Sequence, residues 1–224
     1  MYQCSKYYQD INFSRAVVEI YSILYDYFGP QHWWPAESPF ETIIGAILTQ
    51  AVSWRNVEKA IDNLREANLL KPSAIKKIQQ DRLADLIKPA GYYNMKAKKL
   101  KSFVDFLYNN YAGHLNKMFK VDLPVLRKEL LDVYGVGPET ADSILLYAGK
   151  YPIFVIDAYT KRILSRIGYI PDDIVYHDLQ AKIMSVYPAD VVKYNEYHAL
   201  LVILAKEYCK KSAPDCKNCP IMEK

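Results

Sequence analysis

The sequence predicts an all-α protein, and three observations carry that prediction. Apolar residues recur at i, i+3, i+4 and i+7 in one segment after another. Start and stop signals bracket those segments, with Ser-Pro opening one and glycine closing several. No alternating apolar–polar run of useful length, the mark of a half-buried strand, occurs anywhere. At 224 residues the chain can bury one large core or two smaller, interdependent ones.

Residues 13–27 carry Val17, Val18, Ile20, Tyr21, Leu24 and Tyr25 on one face, and Gly29-Pro30 ends that helix. Trp33 and Trp34 follow in a loop before Pro35. They read either as a plug over a helix junction or as an aromatic wall. Ser38-Pro39-Phe40-Glu41 is a strong start: Ser as N-cap, Pro at the first position, Glu at the third, a capping box. Phe40, Ile43, Ile44, Ile47, Leu48 and Ala51 line one face, and the helix runs into Gln50 and Trp54. Taken alone, Gln50 is a surface amide. A helix over 57–70 and one or two short ones over 73–87 come next. Gly91, Tyr92 and Tyr93 make a turn. Lys96, Lys98, Lys99 and Lys101 then open a helix carrying Leu100, Phe103, Val104 and Leu107. Four lysines in six positions are either a solvated face or, at Lys96 and Lys98, phosphate contacts.

The centre of the chain is the run LLDVYGVGPETA at 130–141. Leu123, Leu126, Leu130 and Leu131 recur at helical spacing before it. Gly135 and Gly137 supply a reversal, since glycine takes positive φ at little steric cost. Pro138 suits the first position of a new helix, which Ala141, Ile144, Leu145 and Ala148 continue to Gly149. Helix, tight glycine hairpin, helix results. Such a corner is expected to leave the N–H groups of Val136, Gly137 and their neighbours outward and unpaired at a helix N-terminus, where a phosphate oxygen can dock. By itself it reads first as an ordinary helix–helix corner. The apolar run 151–156 stops abruptly at Asp157, and Tyr159, Ile163, Leu164 and Ile167 mark the next helix, closed by Gly168. Asp157 therefore sits at an N-cap position. A carboxylate at the mouth of a buried segment is also a candidate catalytic anion, and both roles can hold at once. Helices over 178–187 and 191–208 finish the pattern, and Lys161, Arg162 and Arg166 place positive charge behind Asp157.

Composition narrows the function. A net charge of +4 permits a nucleic-acid partner without arguing for one. The first fifteen residues lack the apolar core of a secretory signal, and no run approaches the ~20 apolar residues of a membrane span. The chain is expected to be cytoplasmic, with no membrane partner. Of four cysteines, Cys209, Cys216 and Cys219 crowd the C-terminus as C-x6-C-x2-C, which suits metal ligation in a reducing compartment. Twenty tyrosines read mostly as core-rim residues with wet hydroxyls.

Hairpin, helix, apolar run and aspartate together resemble the helix-hairpin-helix (HhH-GPD) DNA glycosylase superfamily of base-excision repair, which includes endonuclease III. In that family a Schiff-base lysine follows the hairpin and an aspartate comes eighteen residues later; here 157 − 139 = 18, so Asp157 matches the aspartate and Glu139 occupies the lysine position. The resemblance implies a six-helix barrel over 38–150 and a second helical lobe from 1–37 with 151–224, with DNA in a cleft between them. It makes Gln50 the residue inserted into DNA where a flipped base leaves. The motifs W-W-P, L-T-Q, G-Y-Y-N-x-K-A-K and G-V-G-P-E-T-A-D most resemble 3-methyladenine DNA glycosylase III, over nearly the whole chain. That branch implies an aromatic pocket for an alkylated purine, matched by Trp33, Trp34 and Trp54. The cysteines instead resemble the C-x6-C-x2-C-x5-C of endonuclease III, which holds a [4Fe–4S] cluster. The fourth ligand belongs at 225, one beyond Lys224; Cys4 is the other candidate, and a degenerate cluster or zinc are the remaining options. A carboxylate cannot form an imine, so Glu139 implies a monofunctional hydrolase. The partner implied by the resemblance is double-stranded DNA with the damaged base flipped out, and a monomer is expected. Rival readings are an oxidised-pyrimidine or mismatch glycosylase, and a non-catalytic DNA-binding module using the hairpin alone.

Overall fold

A computed structural model describes residues 11–222. Within them the regular structure is helical, with no strand. The α-helices are α1 (Phe13–Phe28), α2 (Pro39–Leu48), α3 (Trp54–Glu66), α4 (Pro72–Lys77), α5 (Gln80–Leu86), α6 (Tyr93–Tyr111), α7 (Leu115–Met118), α8 (Leu123–Leu131), α9 (Pro138–Ser143), α10 (Ala158–Arg166), α11 (Tyr176–Met184) and α12 (Val191–Glu207). The short α7 carries no sequence signal, and α3 starts at Trp54, three residues ahead of its expected start. The chain divides into two compact units: Trp34–Tyr151, and the described residues on either side of it. No helix among the described residues is long and apolar enough to cross a membrane.

In the unit Trp34–Tyr151, α2 is the central element. Every residue from Phe40 to Leu48 is buried, so the helix is enclosed on all sides, with Glu41 and Thr42 its polar members. The amphipathic α3 sets Val57, Ala60, Ile61 and Leu64 against the core, and α6 packs on α2, α4 and α5. Ser38 caps α2, its Oγ accepting from the Glu41 N–H at 3.2 Å. The reciprocal half of the capping box is not made. Glu41 instead accepts from Arg65 of α3 at 2.9 Å, because a facing guanidinium offers a charge-assisted bond that a backbone N–H does not match.

In the other unit α1 and α10 pack on α12. Three tyrosines here depart from the core-rim setting expected of most. Tyr187, Tyr194 and Tyr197 are interior, and their hydroxyls are satisfied by backbone: Tyr194 donates to the Tyr187 carbonyl at 3.1 Å and Tyr197 to that of Val17 at 2.9 Å. A buried phenol has to find such an acceptor.

Candidate functional site

The glycine hairpin forms as the sequence indicates, with a different division of labour between its glycines. Gly135 has φ +83°, whereas Gly137 has φ −93° and ψ 178°, an extended N-cap conformation open to any residue. A Cβ at Gly135 would lie 2.3 Å from Lys99 Cγ; a Cβ at Gly137 would meet nothing. Gly135 is therefore required by the turn and by packing, and Gly137 by neither. Val136 is 5% exposed and its N–H donates to the Val133 carbonyl at 3.0 Å. The expectation that this N–H faces outward is corrected: it closes the turn. Gly137 is exposed and leads into α9.

Polar side chains brace the corner. Gln50 donates from Nε2 to the Gly135 carbonyl at 3.0 Å and to Thr140 Oγ1 at 2.9 Å, and Lys99 donates to Gln50 Oε1. Gln50 is thus part of the corner rather than a free surface amide. Across the turn, Arg127 of α8 grips the fully buried Asp142 of α9 through two bonds, Nε–Oδ1 2.7 Å and Nη2–Oδ2 3.0 Å. Glu139 is exposed in the first turn of α9. Beyond Ser143 the helix widens to a π-turn, Ile144–Ala148, with the Gly149 N–H reaching the Ile144 carbonyl at 3.0 Å.

Lys98 and Lys96 separate sharply. Lys98 is exposed, with its ammonium 4.5 Å from the ring of Tyr134, the exposed tyrosine of the hairpin. Lys96 is 2% exposed and donates to the carbonyls of Leu48 at 2.9 Å and Ala90 at 2.7 Å. Burial, aided by the charge of Lys99, pushes its pKa down to about 8. The expected phosphate contact is corrected at Lys96: its ammonium is enclosed, satisfying carbonyls at the end of α2 and in the turn before α6.

The tryptophans also divide. Trp34 stands edge-on to Trp54 (5.0 Å, 84°) and tilted against Tyr147 of the π-turn (5.0 Å, 37°). Gly45 of α2 makes room for it, since a Cβ there would come 3.0 Å from the Trp34 indole. Trp33 belongs to the other unit, where the Lys206 ammonium of α12 sits 5.6 Å from its ring.

Asp157 caps α10, accepting the Thr160 N–H on Oδ1 at 2.7 Å. Its other oxygen, Oδ2, lies 3.4 Å from His198 Nε2 of α12. Burial alone would raise the carboxyl pKa, but the nearby charge of His198 and the bond from Thr160 outweigh it and hold the pKa below the usual carboxylate range. The run leading in is pinned by α11: Gln180 donates to the Phe154 carbonyl at 2.6 Å, and the Ile156 N–H donates to the Tyr176 hydroxyl at 3.2 Å. A carboxylate kept ionised in a nearly dry setting is suited to stabilising positive charge in a reacting partner.

With this geometry, a family model described as HhH-GPD superfamily base excision DNA repair protein matches residues 44–189. The chain belongs to the HhH-GPD superfamily. Over 211 residues it is 49% identical to a protein of Methanocaldococcus jannaschii provisionally named a DNA repair glycosylase, covering 93% of this chain and 95% of that one. It is 28% identical to endonuclease III of Thermotoga maritima, over 81% of this chain and 79% of the other. Among solved structures, 3-methyladenine DNA glycosylase of H. pylori bound to 1,N6-ethenoadenine superimposes with a TM-score of 0.74 at 26% identity, covering 88% of this chain and 98% of that one. A non-covalent endonuclease III–DNA complex gives 0.80 at 21% identity and 94% coverage of each chain, a likeness of fold. The HhH-GPD fold and membership in a family of DNA repair glycosylases are thereby shown.

The C-terminal loop of this HhH-GPD protein brings Cys209, Cys216 and Cys219 onto one cavity of about 20 Å³, whose other walls include Ile163, Ile167 and Ile221. None is in a disulfide. Arg166 donates to Cys209 Sγ at 3.3 Å and to the Lys210 and Lys211 carbonyls, while Arg162 donates to the Cys209 carbonyl at 2.8 Å. Burial pushes the Cys219 pKa up to about 11, keeping it a thiol until something replaces the proton. Three soft donors on one apolar cavity fit an iron–sulfur group chemically. Among the described residues no three His, Cys, Asp or Glu side chains are grouped as a metal-ion set, and Cys4 lies outside the described residues.

Sequence reasoning missed Thr140, Lys99, Tyr147 and the Arg127–Asp142 pair, and left His198 without a role. None carries a local signal. Each partner is supplied by a distant part of the chain.

Proposed function

We propose that this chain is a monofunctional DNA N-glycosylase that flips an alkylated purine such as 3-methyladenine out of double-stranded DNA and hydrolyses its glycosidic bond. The observation that carries the reading is Asp157, an ionised, buried carboxylate held on Oδ1 by the Thr160 N–H, with His198 Nε2 3.4 Å from Oδ2. Base removal builds oxocarbenium-like charge on the sugar. Such a carboxylate stabilises that charge and orients or deprotonates the attacking water. The hairpin, with Gly137 exposed before α9 and Lys98 beside Tyr134, supplies a phosphate contact. Gln50 fills the gap left by the extruded base, releasing its bonds to Gly135 and Thr140 as it does so. Glu139 at the position of the Schiff-base lysine supports hydrolysis without strand cleavage.

Support for an alkylated purine comes from the aromatic group around Trp34, because a cationic base gains about 1 kcal/mol or more from desolvated cation–π contact. The likeness to the H. pylori enzyme bound to ethenoadenine points the same way. Cys209, Cys216 and Cys219 would hold a [4Fe–4S] cluster, which when bound supplies rigidity to the C-terminal loop and takes no part in base release. The cysteine pattern and the endonuclease III relatives favour a second reading, an oxidised-pyrimidine glycosylase. Mass analysis of bases freed from a panel of damaged duplexes separates the two. Release of 3-methyladenine with the DNA strand intact is expected; release of thymine glycol without 3-methyladenine overturns the substrate. A visible absorbance band near ~400 nm in the purified protein, typical of thiolate-bound clusters, tests the cofactor.

A further inference from the structure

A helix N-cap needs one side-chain oxygen, and Asp157 uses Oδ1 for that purpose. Its second oxygen faces an imidazole from a different helix. His198 is 6% exposed, its ring edge-on to Phe154 (6.4 Å, 82°), and its Nε2 lies 3.4 Å from Asp157 Oδ2. Packing alone would be served by any large apolar side chain here. A buried imidazole beside a buried carboxylate instead adds a directional N–H donor where solvent supplies none.

We infer that His198 is a positioning residue for base release: its Nε2–H holds Asp157 Oδ2 while the Thr160 N–H holds Oδ1, fixing the carboxylate plane for the reacting sugar or water. The inference rests on the proposed role of Asp157. An ionised carboxylate has about four lone-pair sites. The Thr160 N–H occupies one, His198 Nε2 lies 3.4 Å from the oxygen that carries a second, and the others remain for a water and the developing charge. The contact is long in this state, as contacts at such sites often are before substrate tightens them. The groups facing His198 are Asp157 at the start of α10 and Phe154 in the run before it. The buried phenols of its own helix, Tyr194 and Tyr197, are engaged with the Tyr187 and Val17 carbonyls.

The test uses the full chain. His198→Phe keeps a ring against Phe154 and removes the donor; His198→Gln restores a donor. Single-turnover base release is expected to fall about tenfold to a hundredfold in His198→Phe, the scale of a misaligned reacting group, with duplex affinity unchanged, and to recover largely in His198→Gln. Equal rates in wild type and His198→Phe overturn the inference, as do equally slow rates in both variants, which would mean packing alone. Asp157→Asn is measured alongside. If it abolishes release while His198→Phe does not, only this inference falls; if it leaves release intact, the catalytic reading of Asp157 falls and takes this inference with it. The His198 side-chain ¹⁵N resonance gives a readout free of activity: Asp157→Asn is expected to shift the Nε2 signal, and an unmoved signal overturns the contact.

Discussion

The hairpin corner and the Asp157 cap present opposite kinds of chemistry. At the corner the exposed element is backbone, and side chains brace it: Gln50, Lys99, and the Arg127–Asp142 pair across its two helices. At the cap the chemistry belongs to one buried side chain, held by a backbone N–H with an imidazole beside it. A backbone site is perturbed only by reshaping the turn, so damage there registers as lost stability or lost affinity. A single-carboxylate site can lose its chemistry while the fold stays intact.

The sharpest expected contrast is at Asp157. Asparagine also caps helices, so Asp157→Asn is expected to leave the melting temperature nearly unchanged while base release falls about a hundredfold or more. Release that survives would erase the distinction between the two regions. At the corner, Arg127→Ala strands the buried Asp142 carboxylate and is expected to lower stability by about 3 kcal/mol in urea unfolding. Within the hairpin the glycines should part company. Gly135→Ala forces a left-handed alanine against Lys99 and should lower stability by about 1–2 kcal/mol. Gly137→Ala should change stability by only a few tenths of a kcal/mol yet weaken duplex binding, because its cost falls on whatever approaches the turn. Equal stability losses would refute that division.

Two smaller effects sharpen the contrast between Lys96 and Lys98. The folded-state pKa of Lys96, about 8, lies below the ordinary 10.5. The unfolded chain therefore holds the proton more tightly, and stability rises with pH between those values. Lys96→Met is expected to flatten that rise in pH-dependent melts and leave the salt dependence of DNA binding alone. Lys98→Ala is expected to do the reverse, reducing the log–log salt slope of duplex binding by about one.

Helix positions and ends were largely legible from the sequence. Ser38 and Asp157 both cap where they were expected to, and the hairpin lies at 135–137. What escaped was the destination of each long polar side chain. Glu41 left its capping box for Arg65, Lys96 turned inward while Lys98 stayed in solvent, and Gln50 joined the hairpin. His198 had no reading at all until Asp157 stood opposite it.

The sequence by itself determined the local structure and the family of this protein. Periodicity, caps and turns are settled by contacts within about four residues along the chain, and those are written in order. Only the tertiary structure decided which groups share a site, because a lysine, glutamine or imidazole takes whichever acceptor a distant helix brings within reach. An enclosed polar group must find such a partner, and the identity of that partner depends on how the helices pack.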